Sequence, residues 1–411
     1  MVKKTIIMIQ DKLEPTTEES QIIDKTISKS IDKLININKV LYDIVTKHKN
    51  KITYYHNNKS WDKFKKLSNE YELIFTTPNT GTNISEYCPV SRSFFKLWEI
   101  LHDFNDIFFT NPSSPLKCLF LAEGPGGFAE AFIKYRQDNL NQDNLNQSSQ
   151  IDKYYGITLK SNHDKNIPEW KITKELLKNM QITYGADNTG NLYNYCNIEW
   201  LQNNFEPIDF ITADGGFDFS TDFNSQEELS FRLILCEILT ALLVQKKGGT
   251  FILKVFDMFT FNTLKIIHVI KSFYDTVYIV KPLTSRPANS EKYLICTGFK
   301  GVDNTNKKTI TLLSNLVKNY SEFNVQQTMV QIQFEQHILN NLISFNLHYS
   351  IRQVFYIQRT INYINQFSQQ KGGNVGSPLH DSAEMNIIMN DHIRKSKKWC
   401  EKYNIPLQQK T

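Results

Sequence analysis

The sequence predicts an α/β protein: an open, mostly parallel sheet covered by helices on both faces, flanked by helical regions at either end. Three observations carry this expectation. Short apolar runs alternate with amphipathic stretches from 117 to 300, one run leads straight into a glycine-rich turn, and the two ends lack both features. Strands buried on both faces read as continuous apolar segments, which is how these runs read.

Residues 1–85 are polar, rich in Lys, Ile and Asn, and lack glycine until Gly81. Ile23, Ile27, Ile31, Leu34, Val40, Leu41 and Ile44 recur at roughly helical spacing and predict two or three helices. Ser91 opens an amphipathic helix with Phe95, Leu97, Trp98 and Leu101 on its apolar side. KCLFLA (117–122) is the first strand, followed by the glycine turn and a helix over 127–136. YYGITL (154–159), MQITYG (180–185), IDFITA (208–213), GGTFILKVF (248–256), TVYIVK (276–281) and KYLICTGF (292–299) bring the strands to seven. A helix over 226–246 places Leu229, Leu233, Leu239 and Leu243 on one face and stops at Gly248. QDNLN occurs at 137–141 and again at 142–146, and its polarity predicts a surface loop insertion. Beyond about 302 the pattern is helical again, with apolar periodicity through 329–364. KGGNVGSP (371–378) reads as a flexible linker before a last helix over 381–403. The expected division is 1–85, 86–301 and 302–411.

With 411 residues, 40% hydrophobic and 22% charged, the chain has the make-up of a soluble globular protein with a substantial core. A net charge of +5 is compatible with a polyanionic partner but carries little alone. Cys88, Cys118, Cys196, Cys236, Cys296 and Cys400 are far apart with no CxxC pair, so metal-ligand spacing is absent and free thiols in a reducing compartment are expected. His102, His163 and His268 are isolated, and no metal is expected. The apolar run in MVKKTIIMIQDKLEP is too short for a signal peptide. The run around 234–244 is broken by Glu237 and Thr240, short of the roughly 20 residues of a membrane span. A soluble intracellular protein with no membrane partner is the expectation.

Chemistry concentrates around the turn EGPGGF (123–128). Glycines let the backbone turn sharply and approach a ligand, and the following helix offers unpaired N–H groups. Pro125 and the adjacent Gly126 and Gly127 break the dinucleotide spacing GxGxxG. Glu123 instead sets a carboxylate at a strand end, suited to a cationic or hydroxyl-bearing ligand. Lys96, Asp214, Lys254 and Glu291 each sit at the edge of an element near this turn, a combination suited to deprotonating a weakly acidic hydroxyl.

The turn AEGPGGF resembles the first motif of FtsJ-like S-adenosylmethionine-dependent ribose 2′-O-methyltransferases. SRSFFKL (91–97), TADGGF (212–217), GGTFILKVF (248–256) and TSRPANSEKY (284–293) complete that family's set in order, over about residues 86–300. The last three are most similar to the cap-specific messenger-RNA branch found in eukaryotes and large DNA viruses. The resemblance implies a Rossmann-like class I methyltransferase domain and makes Lys96, Asp214, Lys254 and Glu291 the K-D-K-E tetrad. It implies S-adenosyl-L-methionine as cofactor, held by Ser91, Glu123, Gly124, Pro125, Gly126, Gly127, Phe128, Asp214 and, on the adenosine side, Asp187 or Asn191. Thr158, Leu159 and Lys160 end the second strand with no acid, so the usual ribose-binding carboxylate is unassigned. The resemblance also places Arg92 near the site, while Arg286 and Asn289 are candidate RNA contacts because they lie beside the tetrad. Lys254, at the end of a buried strand near Lys96, is the expected base, with steering of the hydroxyl as the alternative.

The implied partner is RNA, the 5′ end of capped mRNA. Ribosomal- or transfer-RNA ribose methylation, and an RNA-binding scaffold with a relic domain, stand as alternatives. The Asn, Ile, Lys, Tyr and Phe enrichment points to an A+T-rich genome, viral or protist. That leaves the cytoplasm, a viral factory, a virion or a nucleus as locations. Tyr54, Tyr55 and Trp61 interleaved with Lys59, Lys63 and Lys65 could stack on bases, but core packing is the favoured reading. Arg394, Lys395, Lys397, Lys398 and Lys402 around Trp399 could dock RNA or a partner protein, with a solvated charged face favoured.

Overall fold

The computed structural model describes residues 6–9, 20–57, 59–76, 83–111, 114–143, 152–162, 164, 167–171, 173, 180–216, 222–321, 325–368 and 383–409. Its strands are β1 Ile6–Ile9, β2 Lys117–Leu121, β3 Lys153–Ile157, β4 Met180–Thr183, β5 Ile208–Ala213, β6 Gln245–Val255, β7 Tyr274–Val280 and β8 Lys292–Phe299. The described helices are α1 Ser20–Asn57, α2 Ser60–Leu67, α3 Ser93–Asp103, α4 Asn105–Phe108, α5 Gly127–Asp143 and α6 Tyr195–Asn204. They continue with α7 Gln226–Val244, α8 Phe261–Phe273, α9 Lys307–Lys318, α10 Val325–Val330, α11 Gln336–Ser368 and α12 Ala383–Lys402.

All seven expected strands join one eight-stranded sheet in the order β1-β7-β8-β6-β5-β2-β3-β4. The eighth, β1, was not legible: four apolar residues without a turn signal look like part of a helix. It pairs antiparallel with β7, and β8 runs antiparallel to both β7 and β6, while the other neighbours are parallel. Successive residues on a strand face opposite ways. Leu119 and Leu121 therefore join the core that includes α7 and α8, and Cys118 and Phe120 the core that includes α3 and α5.

Two expectations change. The first QDNLN copy is not a loop but the end of α5, while residues 144–146 of the second lie outside the described residues, as do KGGNVGSP and His163. The buried side of α7 is Phe231, Ile234, Leu235, Ile238, Leu239 and Leu242, whereas Leu229 is exposed. This helix is apolar nearly all round, so periodicity cannot single out a face.

The flanking helices pack onto the sheet's partners. α1 and α2 lie against α11, and Ile52, Trp61 and Phe64 form a core with Ile357, Ile361, Ile364, Phe367 and Met385. Trp61 is thus a packing residue, while Tyr54 is exposed. On α12 Trp399 is buried and its Nε1 donates to Glu99 Oε2 at 3.2 Å. Lys395 pairs with Glu70 at 3.1 Å and Lys402 with Asp103 at 3.2 Å, so part of the basic run is spent on docking. No helix among the described residues is long and apolar enough to cross a membrane. All six cysteines are free, Cys88 and Cys196 exposed and the other four buried.

One clasp ties the N-terminal region to the sheet edge. Buried Glu72 accepts from Arg286 Nε at 3.0 Å and Nη2 at 2.7 Å, and lies 3.8 Å from Arg92. Against the cost of burial, these two guanidiniums lower its pKa from 4.5 to about 2. A depressed folded pKa contributes stability above pH 4.5 that is lost as pH falls to about 2. Glu72→Gln should cost roughly 3 kcal/mol at neutral pH. Urea denaturation of both proteins should show that gap closing as the pH approaches 2.

Candidate active site

In a mostly parallel sheet the ligand crevice lies beyond the carboxyl ends of the strands, where the strand order reverses. Here that point is between β2 and β5. Glu123 follows β2, Asp214 follows β5 and Lys254 is the penultimate residue of β6. Because β8 is antiparallel to β6, with Tyr293 opposite Lys254, its start brings Glu291 to the same edge. Lys96 reaches this edge from α3.

The four expected residues come together as two ion pairs. Lys96 Nζ donates to Glu291 Oε2 at 2.7 Å. Lys254 Nζ lies 3.3 Å from Asp214 Oδ1 and donates to the Asp214 carbonyl at 3.0 Å. Tyr293 donates its hydroxyl to Asp214 Oδ1 at 2.9 Å. Burial alone would lower the Lys254 pKa, but Asp214, Glu291 and Glu237 outweigh it and raise it. Glu291, though buried, is held below the ordinary carboxylate range by Lys96, Lys254 and Lys281.

Asp214, Lys254 and Glu291 border a cleft of about 1120 Å³, just above the usual size for small-molecule pockets, while Lys96 stands behind Glu291 and is not among the lining residues. Ser91, Arg92, Glu123, Gly124, Pro125, Asn191, Asp214, Lys254, Asn289 and Glu291 line it. Glu123 accepts from the Thr212 hydroxyl through Oε1, while its buried Oε2 has no hydrogen-bond partner. Desolvation raises its pKa well above the carboxylate range. The turn leaves no room at Gly124, where a Cβ would collide with the Pro168 carbonyl.

Other expected contacts lie elsewhere. Gly127 packs on Ser91 and Ser93, and Phe128 is wholly buried against Tyr293 at 5.6 Å, so both stand behind the cleft wall. Neither Gly126 nor Asp187 is among the cleft residues. Asp187 organises its own loop by accepting from Thr189 N at 2.9 Å, Asn194 Nδ2 at 2.7 Å and Asn197 Nδ2 at 2.9 Å. Against a desolvation cost, these bonds hold its carboxyl below the usual range. Arg92 and Arg286 are both engaged by Glu72, and Arg92 also donates to the Thr284 carbonyl at 3.0 Å.

Several lining residues were not foreseen. Thr158 stands where an acid was sought, and its Oγ1 accepts from Gly124 N at 3.3 Å. His56 and Asp62 reach the cleft from the N-terminal helices, a placement no local motif signals, together with Lys65 of the aromatic and basic segment. Glu237, from α7, lies beneath Gly215 with Oε1 buried and unpartnered, and desolvation raises its pKa well above the carboxylate range. Among the described residues no His/Cys/Asp/Glu group could hold a metal ion.

Residues 89–299 match the family described as FtsJ-like methyltransferase. The chain is also similar to proteins named cap-specific mRNA (nucleoside-2′-O-)-methyltransferase 1. It is 30% identical to that of Mus musculus over 273 residues, covering 61% of this chain and 31% of the mouse protein. Identity is 34% to the Bos taurus protein and 33% to the Homo sapiens protein, in each case over 48% of this chain and 25% of the relative. The chain thus spans less than a third of the length of these curated relatives.

Gly124→Ala should force the turn off Pro168 and open the cleft wall. Calorimetric affinity for a ligand seated on this turn should fall about tenfold or more, equivalent to at least ~1.4 kcal/mol.

Proposed function

The chain belongs to the FtsJ-like methyltransferase family, and from that premise we propose that it methylates the ribose 2′-hydroxyl of RNA, at the first transcribed nucleotide of capped mRNA. The observation that carries this reading is the convergence of Asp214, Lys254 and Glu291 on one cleft beside the Glu123–Pro125 turn, with Lys96 paired to Glu291 behind it. The names of the similar proteins support the cap. Residues 86–301 would form the methyltransferase unit, with 1–85 and 302–411 framing it.

Ser91, Glu123, Gly124, Pro125, Asn191 and Asp214 would hold S-adenosyl-L-methionine. The fit rests on the unpartnered Glu123 oxygen, a carboxylate position suited to a positive ligand, beside a turn with no space for a Cβ at Gly124. When bound, that cofactor supplies a methyl group already activated by its sulfonium. The residues then have to align the hydroxyl and manage its proton. Pre-orientation supplies much of the acceleration, and a sugar hydroxyl is a poor nucleophile at neutral pH. Lys254 would steer the hydroxyl and take its proton. Asp214 orients Lys254, while Glu291 fixes Lys96 and balances its charge. Arg92, Arg286 and Asn289 would form the wall that RNA meets, with both arginines braced by Glu72.

A methylation assay on short capped RNA, with mass mapping of the modified ribose, tests this. Lys254→Ala should lower the rate about a hundredfold or more, the usual scale of general-base catalysis, while still binding S-adenosyl-L-methionine. Wild-type activity in that variant would overturn the role of Lys254. Equal activity on uncapped RNA would favour a ribosomal or transfer RNA substrate.

A further inference from the structure

Lys281 directly follows β7 and is buried at the base of the β7–β8 connection, the segment that ends in Glu291. Its Nζ donates to the Glu291 carbonyl at 2.7 Å, the Asn289 carbonyl at 2.9 Å, Asn289 Oδ1 at 2.8 Å and Ser285 Oγ at 3.2 Å. Ser285 in turn donates its hydroxyl to Glu291 Oε1 at 2.8 Å. That leaves Oε2 for Lys96, at 2.7 Å. An unbroken chain of hydrogen bonds therefore runs from Lys281 through Ser285 and Glu291 to Lys96.

We propose that Lys281 and Ser285 are positioning residues that aim the Glu291 carboxylate at Lys96. The proposal rests on the tetrad reading above. Either Glu291 oxygen could serve Lys96, and a carboxylate free to rotate would not hold one ammonium in place. Ser285 removes that freedom by occupying Oε1, and Lys281 holds both the Ser285 hydroxyl and the backbone carbonyl of Glu291.

Four acceptors around one nitrogen call for an ammonium, which has three N–H bonds, and not for an amine, which has two. The surroundings oppose that charge. Burial works with Lys292, Arg352 and Lys96 to push the Lys281 pKa well below the lysine range, and Glu291 is the carboxylate that counters them. The loop is therefore held by a proton that Lys281 gives up more readily than an ordinary lysine does. Loss of that proton leaves acceptors unpaired and slackens the hold on Glu291.

The test uses the full chain and the variants Ser285→Ala, Ser285→Thr and Lys281→Met. The first readout is acetylation of Lys96 by acetic anhydride, quantified by peptide mass spectrometry, which needs neither RNA nor turnover. Ser285→Ala should raise Lys96 labelling several-fold with its melting temperature little changed, and Ser285→Thr should restore protection. The second readout is kcat against pH on capped RNA. Ser285→Ala should lower kcat about tenfold to a hundredfold, the scale of a misplaced catalytic group, with S-adenosyl-L-methionine affinity unchanged. The wild type should lose activity on the alkaline side, and Lys281→Met should lack that limb. Should Lys281→Met fail to fold, the serine pair decides the matter. Unchanged Lys96 labelling in Ser285→Ala, or a wild-type alkaline limb in a folded Lys281→Met, overturns the proposal. A labelling change in a protein that methylates no RNA would instead refute the tetrad reading.

Discussion

The site depends on charge neutrality at the carboxyl edge of the sheet. Lys96, Lys254, Asp214 and Glu291 are all largely withdrawn from water, and a buried ion is tolerated only when paired and hydrogen-bonded. Each lysine meets its carboxylate from a different element: α3 to the β8 start, and β6 to the β5 end. Fold and chemistry are coupled here. The antiparallel turn of β8 exists to the same effect as the ion pair it closes, because only that direction returns residue 291 to the edge where β6 ends.

Two further carboxyls complicate the balance. Glu123 and Glu237 border the same strand ends, each with one buried oxygen lacking a partner. Desolvation, with Asp214 nearby, pushes both above the ordinary carboxylate range. Gly215 is what allows this crowding: a Cβ there would run into Glu237, Leu233 and Ala122. The glycine pair after Asp214 thus has a packing reason as well as a place in a motif.

The strands were legible because buried parallel strands are continuous apolar runs, and the tetrad because each member sits inside its own motif. Strand β1 was not, since four residues hold too little pattern, nor was the buried side of α7. Arg286 looked like a free cation beside the site. Its use depends on Glu72, more than 200 residues away in sequence, which no local reading could supply. Asp187, which the resemblance offers as an adenosine contact, accepts from Thr189, Asn194 and Asn197 within its own turn, pairings that no local reading supplies. Lys281 was invisible for a similar reason: a lysine ending an apolar strand is ordinary until its four acceptors are seen. Local patterns reveal elements and motif members; long-range pairings decide which polar groups remain available for chemistry.

The same balance bears on how a lysine surrounded by acids could accept a proton. Desolvation favours neutral Lys254, but chiefly Asp214 and Glu291 hold it as the ammonium. In this state it can orient a hydroxyl yet cannot take a proton from it. The neutral form becomes accessible only if the field of those carboxylates is offset. An acid-rich floor with an unpartnered Glu123 oxygen is suited to receive a positive ligand, and such a ligand would supply that offset. Basicity at Lys254 would then be confined to the loaded cleft. In the empty one the ion pairs keep the lysine protonated and the architecture intact.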